Sequence, residues 1–175
     1  MTIITILSRK GIFPAKYYIE FSQRNYERCC HHAADNNQVI VEIKEEEMII
    51  KRYSDADESP LFEMLIEEGD DWSDYHGEKG RDKYTKALKS SLTYVMYDDN
   101  ILCGFVRCRE DDGFGVYVYD LLVRKSYRGR QLGKMLMEQV CKDFANQPVY
   151  VMSDVDPYYE KLGYRREGSI FEVKI

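Results

Sequence analysis

Apolar and polar positions along this chain recur with two periods, and the change of period marks the elements. From Val116 the chain runs VYVYDLLV, β-branched, aromatic and apolar, broken by one acid, Asp120. That is the pattern of a buried strand. From Gln131 onward, Leu132, Met135, Leu136, Val140 and Phe144 recur at helical spacing, with Lys134, Glu138, Lys142 and Asp143 mostly on other faces. That predicts an amphipathic helix. Between the two lies Arg128-Gly129-Arg130-Gln131-Leu132-Gly133, so the order is strand, basic glycine-containing turn, helix.

The same reading extends both ways. Met48 to Arg52 is a short strand. Ser54 with Asp57 three residues on is a capping-box pattern, and Pro60 suits a first helical turn. Leu61, Phe62, Leu65 and Ile66 then form an apolar stripe that Gly69 ends. The stretch from Asp70 to Gly77 is polar, aromatic and turn-like, and Glu78 to Lys89 is a second helix. Leu92 to Tyr97 and Ile101 to Cys108 are strands joined by the turn residues Asp98-Asp99-Asn100. Val149 to Met152 reads as a strand, Pro157 to Leu162 as a short helix and Ser169 to Lys174 as a final strand. Nearer the N-terminus, Lys16 to Ala34 has an untidy helical pattern, and Gln38 to Ile43 reads as a strand. A mixed α/β sheet with helices on both faces is the physical expectation.

Composition narrows the function classes. At 175 residues, 44% hydrophobic and 32% charged, the chain suits one globular domain with an appendage. A net charge of −6 argues against non-specific nucleic-acid binding, which needs a basic footprint. No apolar run approaches the roughly 20 residues of a membrane span. Five cysteines without regular spacing point to reduced thiols and a cytoplasmic setting. Cys29-Cys30-His31-His32 places four metal-ligand types side by side. Adjacent residues cannot wrap one tetrahedral ion, so no metal site is expected.

The turn has a physical use. A helix N-terminus offers unpaired N–H groups and partial positive charge, glycines allow close approach, and arginines add full charges. Such a site binds phosphate or pyrophosphate. It is not a nucleotide P-loop: Gly129 to Gly133 is one residue short, and Met135 stands where a hydroxyl is needed. A dinucleotide G-x-G-x-x-G is absent as well. The stretch resembles motif A of the GNAT superfamily of acyl-CoA-dependent N-acyltransferases, [RQ]-x-x-G-x-[GA]. Arg128 fills the first position and Gly133 the last, and Gln131 departs from the middle glycine. Pro157-Tyr158-Tyr159-Glu160-Lys161-Leu162-Gly163-Tyr164 resembles the family's FYEKLGF signature at the expected distance. The resemblance covers about residues 48–175.

The resemblance implies a GNAT-type α/β fold with a mixed, mostly antiparallel central sheet flanked by helices. It implies transfer of an acetyl group from acetyl-CoA to a primary amine by direct attack, with no covalent enzyme intermediate. Arg128, Gly129, Arg130, Gln131, Leu132, Gly133 and Lys134 are then the pyrophosphate turn. Leu121, Leu122 and Val123 line the cofactor, and a backbone amide near Leu122 or Val123 meets the thioester oxygen. Tyr159 matches the tyrosine that protonates or holds the sulfur, and Tyr158 is a packing residue. Asp120 is a candidate base, because an acid in an apolar strand needs a reason to be there. A structural acid or a substrate ligand is the alternative, and His76 is a rival base. Cys103, Cys108 and Cys141 read as core or surface thiols.

In the resemblance, the loop between the first two helices borders the acceptor. Here it carries Glu67, Glu68, Asp70, Asp71, Asp74 and Glu78 with Trp72, Tyr75 and His76 among them. Acids and aromatic faces suit a cationic acceptor. Partners are thus acetyl-CoA and an amine, with homodimerisation left open. The competing functions are a CoA-binding sensor or scaffold without transfer, a protein N-acetyltransferase, and an assembly subunit acting through residues 1–47. Those residues have no counterpart in the resemblance. Lys44-Glu45-Glu46-Glu47 before Met48 can be encoded by a purine-rich stretch like a bacterial ribosome-binding site, so translated leader is one expectation for residues 1–47. A solvated acidic segment is the other.

Overall fold

The computed structural model describes residues 4–6, 31–34, 38–41 and 48–174. Two compact units divide between residues 46 and 47. In the first, strands β1 (Ile4–Ile6), β2 (His31–Ala34) and β3 (Gln38–Val41) form a sheet in the order β1-β3-β2. The helix expected over Lys16 to Ala34 is corrected at its C-terminal end. His31–Ala34 is extended and pairs antiparallel with Gln38–Val41, because a ladder partner outweighs an untidy helical pattern. Residues 16–30, with Cys29 and Cys30, lie outside the described residues.

The second unit is built on a five-stranded sheet in the order β4-β5-β6-β7-β8. These strands are Met48–Arg52, Leu92–Asp98, Ile101–Glu110, Val116–Val123 and Val149–Val151. Adjacent pairs from β4 to β7 are antiparallel, and β8 joins β7 in parallel. The mixed, mostly antiparallel sheet expected from the sequence is therefore present. Helices α1 (Glu58–Glu68), α2 (Ser73–His76), α3 (Arg81–Ser90), α4 (Leu132–Asp143) and α5 (Asp156–Lys161) complete it.

Alternation along the strands feeds two cores, one per face. On one face Met96, Cys103, Val106, Cys108, Val116 and Val118 pack against Leu132, Leu136, Met137 and Val140 of α4. On the other, Val95, Leu102, Phe105 and Leu122 pack against Leu61, Phe62, Met64 and Leu65 of α1 and Tyr84 and Leu88 of α3. The capping pattern at Ser54 starts a 3-10 turn, Asp55–Asp57, that leads into α1. The Asp57 carboxylate accepts hydrogen bonds from the Ser54 backbone N–H (2.9 Å) and hydroxyl (2.8 Å). It is 1% exposed, and Lys51 Nζ (2.7 Å) and the Tyr97 hydroxyl (2.8 Å) also donate to it.

Three further expectations are revised. The turn-like stretch after Gly69 is a 3-10 turn, Asp70–Trp72, followed by α2, and the Ser73 hydroxyl donates to the Asp70 carbonyl (2.7 Å). The second helix starts at Arg81 rather than Glu78, after Gly77 and Gly80 turn the chain. Ser169 to Lys174 is not a strand: Ile170, Phe171 and Val173 are 70%, 83% and 87% exposed. Alternation supplies a side-chain pattern but no ladder partner, and β8 offers an edge only three residues long.

Candidate active site

The site forms where β7 parts from β8. The two pair only through Val116–Val118 with Val149–Val151, with one further bond from the Met152 N–H to the Val118 carbonyl. Among the described residues, Tyr119 to Val123 has no ladder partner on that edge. A bulge coincides with the parting: Arg107 of β6 faces Asp120 while Cys108 faces Val118, so Tyr119 is the extra residue. A bulge re-aims side chains. Here it puts Tyr119 and Asp120 on neighbouring positions of the α1/α3 face.

At the end of β7 the chain makes a 3-10 turn, Lys125–Tyr127, and enters α4 through Arg128 to Gln131. Gln131 is the N-cap in a left-handed conformation, φ 61° and ψ 17°, and makes no side-chain capping bond. No acid stands in the first turn of α4. Among the described residues no side chain is recorded accepting from its N-terminal N–H groups, which fits an anionic group. Gly129 is also left-handed (φ 84°).

The cations expected to help are differently employed. Arg128 folds back, donating from Nε to the Val123 carbonyl (2.9 Å) and from Nη2 to Glu68 (2.7 Å). The Arg130 guanidinium lies 4.9 Å from the Tyr127 ring centre, and Lys134 pairs with Glu138 at 3.5 Å. Leu121 and Val123 are half-buried and Leu122 and Leu132 buried. Gly133 is buried beneath Tyr158: an added Cβ would stand 2.5 Å from that hydroxyl. Tyr158 thus caps the turn rather than merely packing.

Tyr159 sits beside it on α5, edge-on to Tyr158 (5.0 Å) and stacked with Tyr164 (6.2 Å). Burial pushes its hydroxyl up to about 12, with Tyr158, Asp154 and Tyr164 adding to the rise. At any ordinary pH it keeps its proton.

Asp120 is 7% exposed and fully engaged at one oxygen: Oδ2 accepts from Arg107 Nε and from the Tyr84 hydroxyl (2.8 Å). Burial, then the Asp120 charge, pushes Tyr84 well above its ordinary value. Arg107 is raised: burial would lower it, but the hydrogen bond and charge of Asp120 prevail. Neither Arg107 nor Tyr84 was singled out from the sequence as a site residue. Arg107 had a readable signal, since it is the one charged residue within the apolar run from Ile101 to Cys108.

In the loop expected to border an acceptor, Tyr75 packs edge-on to Tyr84 (4.8 Å) and against Trp72 (5.1 Å), which rests on Phe105 (5.9 Å). Burial raises the Tyr75 hydroxyl, and Asp120, Asp154 and Asp74 add to the rise. Asp71 and Asp74 are exposed. His76 faces the Gly69 carbonyl from Nε2 at 3.4 Å, a structural placement. Glu67 and Glu68 end α1, and both Glu67 oxygens accept from Arg124 Nη1 (2.6 and 2.8 Å). Burial pushes the Cys103 and Cys108 thiols up to about 11, so neither is a nucleophile at neutral pH. Cys141 is exposed, and burial of part of its surface raises it as well. Among the described residues no cluster could hold a metal ion.

This sheet order, with the parted strands and the helix after β7, matches the GNAT-type fold. Residues 89–166 match the family described as an acetyltransferase (GNAT) domain. An aminoglycoside acetyltransferase from an uncultured soil metagenomic sample superposes with a TM-score of 0.60 at 23% identity, over 74% of this chain and 99% of that one. The PaiA N-acetyltransferase of Thermoplasma acidophilum, solved with coenzyme A, gives 0.60 at 17%, over 71% and 93%. At such identities the likeness shows the fold. In sequence, the chain is 30% identical over 82 residues to an uncharacterized N-acetyltransferase, ycf52, of Gracilaria tenuistipitata var. liui, covering 44% of this chain and 45% of that protein. The chain spans about half the length of such curated relatives.

Proposed function

We propose that this chain is an N-acetyltransferase that moves an acetyl group from acetyl-CoA to a primary amine, with a small cationic molecule as acceptor. One observation carries the reading. The parted edge of β7 leads directly to an α4 N-terminus where, among the described residues, no side chain is recorded accepting. An extended ligand with an anionic end fits that pairing of open backbone and helix N-terminal N–H groups.

When bound, acetyl-CoA supplies the activated acyl thioester. The N–H groups at the start of α4 hold its pyrophosphate, with Arg130 and Lys134 nearby in sequence. Backbone groups of Leu121, Leu122 and Val123 orient its arm. Tyr159, protonated up to about 12, holds the proton that a departing thiolate needs. Asp120, bonded through Oδ2 to Arg107 and Tyr84, is the candidate base or a positioning acid. The acceptor sits by Trp72 and Tyr75, where Asp71, Asp74 and Asp154 favour a cation. The fold neighbours include aminoglycoside acetyltransferases, one bound to a CoA–acetylneamine bisubstrate analogue, which is precedent for a cationic acceptor in this fold. Reduced thiols fit a cytoplasmic setting.

Thiol release from acetyl-CoA, measured across a panel of cationic, neutral and anionic amines, tests the reading. Cationic amines are expected to win, and added salt to narrow their lead by screening. A panel won by anionic acceptors would remove the acceptor reading. No binding of acetyl-CoA would remove the cofactor reading.

A further inference from the structure

The Glu68 side chain is 6% exposed, yet it lies at the C-terminal end of α1. Its Oε2 accepts from Arg128 Nη2 at 2.7 Å and lies 3.8 Å from Lys125 Nζ. Its Oε1 is buried with no hydrogen-bond partner. A buried carboxylate holds its place only while cations compensate it. Here both compensating cations come from the turn that leads into α4. Each is more than four-tenths exposed, Arg128 at 49% and Lys125 at 59%, so both can turn toward an anion arriving from solvent.

Neighbouring contacts show what Glu68 does not have to do. The Glu67–Arg124 pair, with Arg124 Nε donating to the Leu102 carbonyl (3.1 Å), anchors α1 to β6 independently. Lys125 Nζ also donates to the Glu68 carbonyl at 3.2 Å and lies 3.4 Å from that of Glu67. Immediately after Glu68 stands Gly69, φ 85° and ψ −139°, with open space where a Cβ would be. That is a point about which the chain can turn without steric cost. Beyond it lie Trp72 and Tyr75.

We infer that Glu68 is a positioning residue that couples the acceptor loop to cofactor occupancy: it stands in for the pyrophosphate as the counter-ion of Arg128 and Lys125, and yields them when the cofactor binds. The inference rests on the acetyl-CoA reading above. An arriving pyrophosphate competes for the two cations. Glu68, left buried and uncompensated, then leaves its site, and the segment 69–77 turns about Gly69. Cofactor binding thus loosens the acceptor loop, and by reciprocity an acceptor that favours the loosened loop tightens cofactor binding.

The test uses the full chain and its Glu68→Gln variant, with acetyl-CoA titrated calorimetrically and amide exchange followed over residues 69–77. The neutral amide keeps the shape but frees the cations. The variant should bind acetyl-CoA about 5-fold more tightly, a coupling of ordinary size. In the unsubstituted chain acetyl-CoA should speed exchange over 69–77. In the variant, whose neutral side chain stays buried without a counter-ion, exchange should remain slow and should not respond. A residue that merely supported the fold would weaken binding when replaced, so the sign of the change separates the roles. Equal or weaker binding by a cooperatively folded variant, or exchange over 69–77 that slows alike in both proteins, overturns the coupling. If the unsubstituted chain does not bind acetyl-CoA, the cofactor reading falls and takes this inference with it. Binding without a gain in the variant removes this inference alone.

Discussion

Gln131 holds a left-handed backbone at the entrance to α4, in the position where the family motif has glycine. For a residue with a Cβ that conformation costs roughly 1–2 kcal/mol. Gln131→Gly is therefore expected to raise stability by about 1 kcal/mol, read as a higher denaturant midpoint, with acetyl-CoA binding kept. A lower midpoint would mean that the glutamine side chain contributes more than its backbone costs. Two residues on, Gly133 sits under Tyr158. An alanine there meets the tyrosine hydroxyl at 2.5 Å, but the ring carbon behind it at an ordinary 3.6 Å. Gly133→Ala should therefore destabilise the chain by about 1–2 kcal/mol, and Tyr158→Phe should recover most of that loss in the double variant. Additive losses would show that the turn itself, not Tyr158, rejects the side chain. At Tyr159, replacement by Phe should lower turnover about 10²-fold, the low end for a single general acid, with acetyl-CoA affinity unchanged. Because the hydroxyl titrates near 12, turnover should rise with pH as the acceptor amine loses its proton. It should show no falling limb from this residue below about pH 11.

At the scale of elements, the bulge in β7 and the start of α1 each depend on one buried acid. Asp120 in the bulge is compensated by Arg107 and Tyr84. Asp120→Ala leaves Arg107 half-buried without its partner and should cost about 3 kcal/mol. Asp120→Asn separates structure from catalysis. If Asp120 is the base, the variant slows most at low pH, where few acceptor amines are neutral. If its role is positional, the slowing is independent of pH. Asp57 joins β4, β5 and the entry to α1 through four donors. Burial alone would raise its carboxyl, but hydrogen bonds from Lys51, Ser54 and Tyr97 outweigh it and hold it below the ordinary value. Its contribution is therefore complete above about pH 4, the unfolded value, and is lost as pH falls through the lower folded value. Asp57→Ala should cost about 2–3 kcal/mol at pH 7, as expected for hydrogen bonds to a charged group. In that variant the acid-induced loss of stability should shrink.

At the scale of the molecule, tyrosines set the alkaline limit. Burial, with nearby carboxylates, pushes Tyr53 up to about 12 and holds Tyr97 and Tyr84 well above their ordinary values. Their unfolded values lie near 10, so the unfolded chain releases these protons first. Stability should be flat up to about pH 10 and fall between there and pH 12, measured as the urea midpoint. A midpoint that held steady across that window would mean these hydroxyls are not held protonated by the fold. The role of residues 1–47 is also a question at this scale. If they are translated leader, a chain beginning at Met48 should fold cooperatively, bind acetyl-CoA and keep its activity. Insolubility or loss of cooperativity would make them part of the folding unit.

Periodicity and two local motifs carried most of the second unit. The strands at Met48, Leu92, Ile101 and Val116, the α4 stripe and the FYEKLGF-like helix were legible because each follows from residues close together in the chain. The same holds for the glycine-containing turn before α4, while the left-handed backbone of Gln131 came from the structure. What only the tertiary structure decided is pairing across distance. A carboxylate is an acid in any sequence, but whether it is free, buried or compensated depends on which cation the fold brings to it. Thus Asp120 meets Arg107 and Tyr84, and Glu68 meets Arg128. Tyr158 covers Gly133 from another helix. His31–Ala34 is a strand because Gln38–Val41 lies beside it, and Ser169 to Lys174 is not one because no edge of sufficient length receives it. Side-chain patterns propose an element; a ladder or a buried charge needs a partner, and partners are set by the fold.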